Sequence, residues 1–379
     1  MASVFVCGDI VNVGHIDGII CSDAIEEIVS SADYSVCNFE APITGYGEKQ
    51  RKSGPHLSQP AETISGLKRQ GFDLLLLANN HSMDFGADGL AATLEASKSA
   101  GMDALGAGQD SEAAYSPLIK DIGGVRVGLI NACEAQFGVI DQFERVSAAG
   151  YAWINHPKID KTIIDLRRSC DFVIVFSHAG LEHYSIPQKE WRARYKHFCD
   201  LGADAVLGSH PHLPQGYEEY NGSLIFYSLG NFYFDALHLK DAEHPSFSVW
   251  LELTPGERVS FRPVFHYKKN GFVDLAPADK QVNIANLCAM LGENYLEQHE
   301  RMSMQAYQVL RRRLILSLMP IPYDGTLRTL VRASVAKLLG KRKKLDKDIL
   351  QLHLLRNEAY YFAMRHALEL MVRDKSLKE

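Results

Sequence analysis

Apolar runs of strand length recur along the first 275 residues, and each stops abruptly in a polar cluster. Val4–Cys7 runs into Gly8-Asp9, Tyr34–Asn38 into Phe39-Glu40, and Phe72–Ala78 into Asn79-Asn80-His81. Phe172–Phe176 ends in Ser177-His178, Ala205–Leu207 in Gly208-Ser209-His210-Pro211-His212, and Leu224–Ser228 in Leu229-Gly230-Asn231. Short continuous runs of this kind predict strands buried on both faces. Between them the apolar spacing takes a helical period, so helices are expected over Ala24–Ser31, Ala61–Gly71, Asp88–Gly101, Lys158–Ser169 and Trp191–Leu201. Asp23 is the N-cap candidate of the first, with Glu26 completing a capping box. Gly123-Gly124, between Pro117–Asp121 and Val125–Asn131, predicts a hairpin, and Phe247–Leu253 with Val259–Tyr267 an antiparallel pair. Gly45–Pro60, rich in Gly, Lys, Ser and Pro, is expected as a loop over the strand ends. Strands alternating with helices, then hairpins, predict an α/β or α+β domain with mixed sheets over residues 1–275.

The pattern changes after Val282. Gly and Pro thin out and helix formers dominate, which predicts a helical C-terminal extension over 276–379, broken at Pro320 and Pro322. Arg311-Arg312-Arg313 and Lys341-Arg342-Lys343-Lys344 bracket the apolar Leu314–Met319 and the amphipathic Thr326–Leu339. Such a segment suits a solvated helix face packed on protein, and it equally suits an anionic membrane surface. No uncharged apolar run reaches the roughly 18 residues needed to span a bilayer.

Composition narrows the class only a little. With 379 residues, 46% hydrophobic and 23% charged, the chain is an ordinary globular one. A net charge of −6 gives no reason to expect nucleic acid as a partner. The seven cysteines are scattered without CxxC pairing, so buried reduced thiols are expected. The N-terminus reads directly as a strand, without the basic and apolar regions of a signal peptide. A cytoplasmic location is the expectation, with peripheral attachment to the inner membrane face left open.

In open α/β sheets, ligands sit beyond the carboxyl ends of the strands. Those ends here carry Asp9, Glu40 with Asn38, Asn80 with His81, His178, and His210 with His212. Hard oxygen and imidazole donors without thiolate suit Mn, Fe, Zn or Mg and disfavour a closed structural zinc site. Two adjacent cations can activate water and stabilise a departing charge. His210 and His212 lie two apart, and Pro211 favours an extended His210, so both imidazoles are expected to face one side. Lys49, Arg51 and Lys52 on the early loop either attract an anionic substrate or form a solvated charge run.

Six motifs occur in order: Gly8-Asp9, Asn38-Phe39-Glu40-Ala41-Pro42, Ala78-Asn79-Asn80-His81-x-x-Asp84-x-Gly86, Ser177-His178-x-Gly180-x-Glu182-x-Tyr184, Gly208-Ser209-His210-Pro211-His212, and Ser228-Leu229-Gly230-Asn231-Phe232-x-Phe234-Asp235. Together they closely resemble the CapA family, linked to bacterial capsule and poly-gamma-glutamate synthesis and similar in fold to calcineurin-like metallophosphoesterases. The resemblance implies a four-layer α/β/β/α sandwich over about residues 1–270 and one or two divalent metals. It implies Asp9 and His212 as ligands of the first metal, Glu40 as the bridge, and Asn80, His178 and His210 as ligands of the second. His81 would be the proton donor and Asp84 its orienting partner, with Glu182, Tyr184 and Asn38 toward substrate; Asn38 could also hold Glu40 or cap the loop. One departure stands out: the wider superfamily has Asp-x-His at the first strand, whereas Asp9 is followed by Ile10 and Val11, so an imidazole is missing unless His15 reaches in.

The leading expectation is a metal-dependent, phosphoesterase-type hydrolase acting on an anionic polymer or phosphorylated substrate beside capsule synthesis machinery. The alternative is a non-catalytic scaffold that binds metal or polymer in such a membrane-associated complex.

Overall fold

The computed structural model describes residues 1–141, 143, 148–236, 243–318 and 346–376. The strand–helix alternation is present from the start. β1 (Ala2–Val11), α1 (Asp23–Ser31), β2 (Tyr34–Phe39), α2 (Glu62–Arg69), β3 (Leu74–Leu76), α3 (Gly86–Ser99) and β4 (Asp103–Leu105) follow one another. Their strands pair in parallel. The short β5 (Ala107–Gly108) and α4 (Ser111–Tyr115) precede the hairpin of β6 (Leu118–Ile122) and β7 (Val125–Cys133), and then come β8 (Val139–Ile140) and β9 (Gly150–Ala152). A second alternation follows: α5 (Pro157–Arg167), β10 (Phe172–His178), α6 (Lys189–Asp200) and β11 (Ala205–Ser209), with β12 (Tyr217–Tyr220) and β13 (Ser223–Phe226). The chain then adds β14 (Asn231–Phe234), β15 (Ser246–Leu253), β16 (Ser260–Lys269), β17 (Phe272–Leu275) and α7 (Ile284–Ala289).

One sheet runs β17-β16-β15-β1-β2-β3-β4, with β14 also parallel to β1, a second runs β12-β13-β11-β10-β7-β6, and β5-β9-β8 make a small third. Val4, Val6, Val36, Leu74 and Leu251 of the first meet Val127, Ile174, Phe176 and Leu207 of the second in one buried cluster. On the opposite face of the first sheet, Phe5, Cys7 and Leu75 pack on Ile25, Val29, Ile64, Leu67 and Leu90 of α1–α3. Helices α5 and α6 lie against β7, β10 and β11. The result is a mixed α/β sandwich of four layers, α/β/β/α. In β1 the pleat sends Val4 and Val6 to one layer and Phe5 and Cys7 to the other, so a strand buried on both faces reads as unbroken hydrophobicity. Each such side chain contributes about 1.5–3 kcal/mol on burial.

Two local expectations need correction. Ser22, not Asp23, caps α1: its backbone is extended and its hydroxyl accepts from Ile25 N at 3.4 Å, which leaves Asp23 as the first helical residue beside the positive end of the dipole. Asn231 does not end a strand; it begins β14, in parallel register with Asp9. The Gly123-Gly124 hairpin is observed, with φ of +55° and +80°, the left-handed pair that a two-residue turn of this hand requires.

The chain divides into two compact units. The first comprises Met1–Gln50 and His56–Glu293, and the second Arg51–Pro55 with Asn294–Glu379. The first continues past residue 275 because α7 packs on β12, where Tyr217 N donates to Cys288 Sγ at 3.4 Å. The second contains α8 (Tyr295–Leu318), α9 (Lys347–Arg356) and α10 (Glu358–Ser376), and within it Arg51 pairs with Asp346 at 2.5 Å. Arg311–Arg313 lie on α8; Pro320, Pro322, Thr326–Leu339 and Lys341–Lys344 lie outside the described residues. Among the described residues no helix is long and apolar enough to cross a membrane.

Candidate metal centre

The parallel pairing brings the polar strand ends to one edge. Asp9 is in register with Asn38 on β2 and Asn231 on β14, and His178 is in register with Cys133 on β7 and Ser209 on β11. Register shifts on both sides of Asp9 mark a bulge in β1 that re-aims its carboxylate. Asp9, Asn38, Glu40, His178 and His210 are all buried to 1% exposure or less.

The donor atoms fall into two overlapping sets. Those of Glu40, His178 and His210 lie within 4.8 Å of one another, as do those of Asp9, Glu40 and His212. Glu40 belongs to both. Its amide is tied to Ile10 O at 3.1 Å, yet both carboxylate oxygens are fully buried without a hydrogen-bond partner, 3.5 Å from His178 Nε2 at the nearest contact with it. His178 Nε2 donates to Asn80 Oδ1 at 3.0 Å, which places that amide oxygen at the same set. Buried polar atoms without partners are costly in a native fold. Carboxylate, amide-oxygen and imidazole atoms converging on such unbonded oxygens are the donor set of a divalent cation, and the residues present fit one.

Electrostatics follow the same crowding. Burial, with Asp9 beside it, pushes the Glu40 carboxyl up to about 8. Burial raises Asp9 too, but the hydrogen bond from His212 and the charge of His178 hold it below the usual carboxylate range. His212 is lifted to about 10: burial works against its charge, and Glu40 and Asp9 more than offset that. Burial takes His178 down to about 4 and drives His210 far below its ordinary value.

His210 and His212 do not reach the cluster as an extended segment. Both have left-handed backbones, φ +97° and +59°, and so does His183 at +66°. Non-glycine residues in this region cost of order 1–3 kcal/mol each and persist only where the surroundings impose them. His210 N donates toward Asp9 Oδ2 at 3.4 Å, His212 Nδ1 donates to Asn231 Oδ1 at 2.9 Å, and His183 N donates to Pro211 O at 2.9 Å.

His81 sits at the rim, 8% exposed, with Nδ1 2.7 Å from Asp84 Oδ2. The same Asp84 oxygen accepts from Leu57 N at 2.7 Å, so one buried carboxylate fixes both the imidazole and the loop that crosses it. Asn79 is a turn residue: Nδ2 donates to Phe39 O, and Oδ1 accepts from His81 N and Ser82 Oγ. Asn38, expected toward substrate or Glu40, is instead buried and donates through Nδ2 to Asp9 Oδ1 at 2.7 Å and His178 Nδ1 at 3.1 Å. His15 does not reach in; its Nε2 meets Gly271 O at 2.8 Å and its ring packs against Phe272. Glu182 is half-buried, and although burial raises it, the imidazoles of His210, His212, His183 and His81 hold it below the usual range. Tyr184 is fixed through its carbonyl, which accepts from Gln215 Nε2 at 2.9 Å. Of the early-loop cations, Arg51 is paired with Asp346 in the second unit instead of at this cluster.

Three residues went unassigned in the sequence: Glu134, Gln136 and Asn231. Glu134 had the same signal as Asp9, a carboxylate directly after an apolar strand, and lies 3.6 Å from His210 Nε2.

The chain is similar in sequence to known proteins. A family model described as bacterial capsule synthesis protein PGA_cap matches residues 3–236. The chain is 33% identical over 216 residues to a capsule biosynthesis protein CapA of Bacillus anthracis, covering 56% of this chain and 53% of that one. It is 34% identical over 222 residues to a PGA biosynthesis protein CapA of Bacillus subtilis (strain 168), covering 56% of each. The chain thus spans about half the length of these relatives. A solved hypothetical protein from Thermus thermophilus aligns with a TM-score of 0.46 at 16% identity, over 70% of this chain and 100% of that one.

Proposed function

The chain belongs to the bacterial capsule synthesis protein PGA_cap family, and from that premise we propose that it is a divalent-metal-dependent hydrolase of the phosphoesterase type. Its proposed substrate is an anionic exopolymer, such as a capsule or poly-gamma-glutamate chain, or a phosphorylated compound made with it. The observation that carries this reading is Glu40, a carboxylate with both oxygens buried and unbonded amid Asp9, Asn80, His178, His210 and His212. Asp9, Glu40 and His212 would hold one cation; Glu40, Asn80, His178 and His210 would hold another. Bound there, a cation supplies Lewis acidity and a lowered pKa for water.

The chain's own residues supply the rest. Asp84 takes the Nδ1 side of His81, so the imidazole meets substrate through Nε2. In its protonated form the ring can pass that proton to the leaving oxygen, with Asp84 stabilising the imidazolium. Asn38 holds Asp9 and His178 in mutual orientation, and Asn231 sets the tautomer of His212.

A second reading, a metal- or polymer-binding scaffold, is favoured by one observation. With His15 engaged at Gly271, the Asp9 set has His212 as its imidazole among the described residues. Equilibrium dialysis with Mn²⁺, Fe²⁺ or Zn²⁺, paired with hydrolysis of a bis(nitrophenyl) phosphate, separates the two. The enzyme reading expects His178→Ala and His210→Ala to lose the metal. It expects His81→Ala to keep the metal while hydrolysis falls by roughly 10²–10⁴-fold. Metal binding without turnover of any phosphoester would put the scaffold ahead. Association with capsule synthesis machinery, and peripheral membrane contact through the basic helices around Arg311–Arg313, are further parts of the proposal; flotation with anionic vesicles tests the second.

A further inference from the structure

Gln59, near the end of the loop that follows β2, is a fully buried amide that none of the steps above uses. Its backbone is tied to the segment just past Glu40: Gln59 N donates to Pro42 O at 3.0 Å, and its carbonyl accepts from Thr44 N at 2.7 Å. Its side chain joins the two strand ends that carry Asp9 and Glu40. Oε1 accepts from Asn12 N at 2.7 Å, and Nε2 donates to Ile10 O and Ala41 O, each at 3.3 Å. Ile10 O is also the carbonyl that accepts from Glu40 N at 3.1 Å. The β1–β2 ladder ends at Ile10 and Phe39, so Gln59 takes up backbone groups at and just beyond that point.

Two residues earlier, Leu57 N donates to Asp84 Oδ2, the oxygen that also holds His81 Nδ1 at 2.7 Å. The Leu57 side chain packs in a small buried cluster with Val11, Ala41 and Phe234, and the Phe234 ring lies 5.0 Å from that of His212. A primary amide donates and accepts at once, so one side chain can bridge two strand ends, and withdrawing it would leave buried backbone groups unpaired. We propose that Gln59 is a positioning residue. It locks the stretch that carries the Leu57 amide to the strands that carry Asp9 and Glu40, and so sets where Asp84 holds His81 relative to the cation ligands. This rests on the metal-dependent hydrolase reading above. A separate bond, from Asn79 Nδ2 to Phe39 O at 2.9 Å, holds the start of the His81 turn to β2, which leaves the Asp84 side to Gln59.

Two measurements on the full chain test it. Amide hydrogen exchange of the metal-free protein reads the loop without any turnover. Leu57 N–H should be protected in wild type and exchange roughly 10- to 100-fold faster in Gln59→Met, which keeps the side-chain length and removes the amide. Thr63→Val removes a different buried bond to Asn12, whose Nδ2 donates to Thr63 Oγ1 at 2.9 Å, and should leave Leu57 as protected as in wild type. With Mn²⁺ saturating, Gln59→Met should lower kcat on bis(nitrophenyl) phosphate by roughly 10²-fold with little change in KM. In a His81→Ala background the same substitution should cost nothing further, because Gln59 acts through His81. An unprotected Leu57 N–H in wild type overturns the proposal, and this readout stands even if the variant fails to fold. Wild-type protection in folded Gln59→Met, equal loss of protection in Thr63→Val, or additive losses in the double variant also overturn it while leaving the hydrolase reading intact. No turnover by wild type with Mn²⁺, Fe²⁺ or Zn²⁺ would overturn that reading, and this inference with it.

Discussion

Glu40 occupies a position where packing alone would favour a hydrocarbon. Burial, with Asp9 beside it, raises its carboxyl to about 8, and neither oxygen is hydrogen-bonded. Replacing an unsatisfied buried polar group by an apolar one of similar shape removes a cost of about 1–3 kcal/mol. Glu40→Met should accordingly raise the metal-free melting temperature and abolish Mn²⁺ binding, a pair of opposite effects readable by calorimetry and dialysis. A lower melting temperature would mean that the carboxylate has a structural role. At this scale the sequence was legible wherever a ligand-type side chain directly follows an apolar strand, as with Asp9, Glu40 and His178. It was not legible where a contact depends on the third dimension. Nothing local distinguishes an Asn38 that braces Asp9 and His178 from one that meets substrate. Nothing local shows that His15 turns to Gly271. Glu134 carried the right pattern, but the amide that bonds it, Gly180 N, is 46 positions away in the chain.

Among the elements, β1 bears the closest approach. A Cβ on Gly8 would lie 1.8 Å from Gly230 O, the same carbonyl that accepts from Asp9 N at 3.1 Å. Gly8→Ala should therefore force β1 and β14 apart at the level of Asp9, with an overpacking cost of about 1–3 kcal/mol. Denaturant titration should show the loss of stability, and metal affinity should fall with it because Asp9 and His212 both depend on that junction. Unchanged stability would indicate that the strands separate easily. Long apolar runs such as Phe172–His178 were legible because both faces are buried. The two- and three-residue strands β8 and β9 and the five-residue α4 were not, since such lengths carry no periodicity. The geometry of His210-Pro211-His212 escaped for another reason: neither residue type favours a left-handed backbone, and only the surrounding contacts impose it.

For the whole molecule, strands alternating with helices indicated a mixed α/β fold and the family resemblance implied its four layers, whereas the end of the first unit moved from 275 to Glu293 because α7 packs back on β12. The fold also carries an acid-sensitive element outside the metal set. His266 on β16 is buried between Ser248 Oγ, at 3.0 Å, and the Phe232 ring, and burial takes its pKa down to about 3. Above its ordinary value of 6.5 both native and unfolded states are neutral there. As pH falls from 6.5 toward 3, the unfolded chain gains a proton that the native one refuses, so stability declines through that window. His266→Leu should flatten this decline, seen as a smaller drop in melting temperature between pH 7 and about pH 4.5; an unchanged slope would place the acid sensitivity elsewhere. The left-handed backbones at 210 and 212 bear on how such a molecule can diverge. A descendant released from holding a cation would gain stability by exchanging either histidine for glycine, which takes up that conformation without strain. Glycine at these two positions in an otherwise similar chain would therefore be the mark of a retired centre, legible before any assay is run.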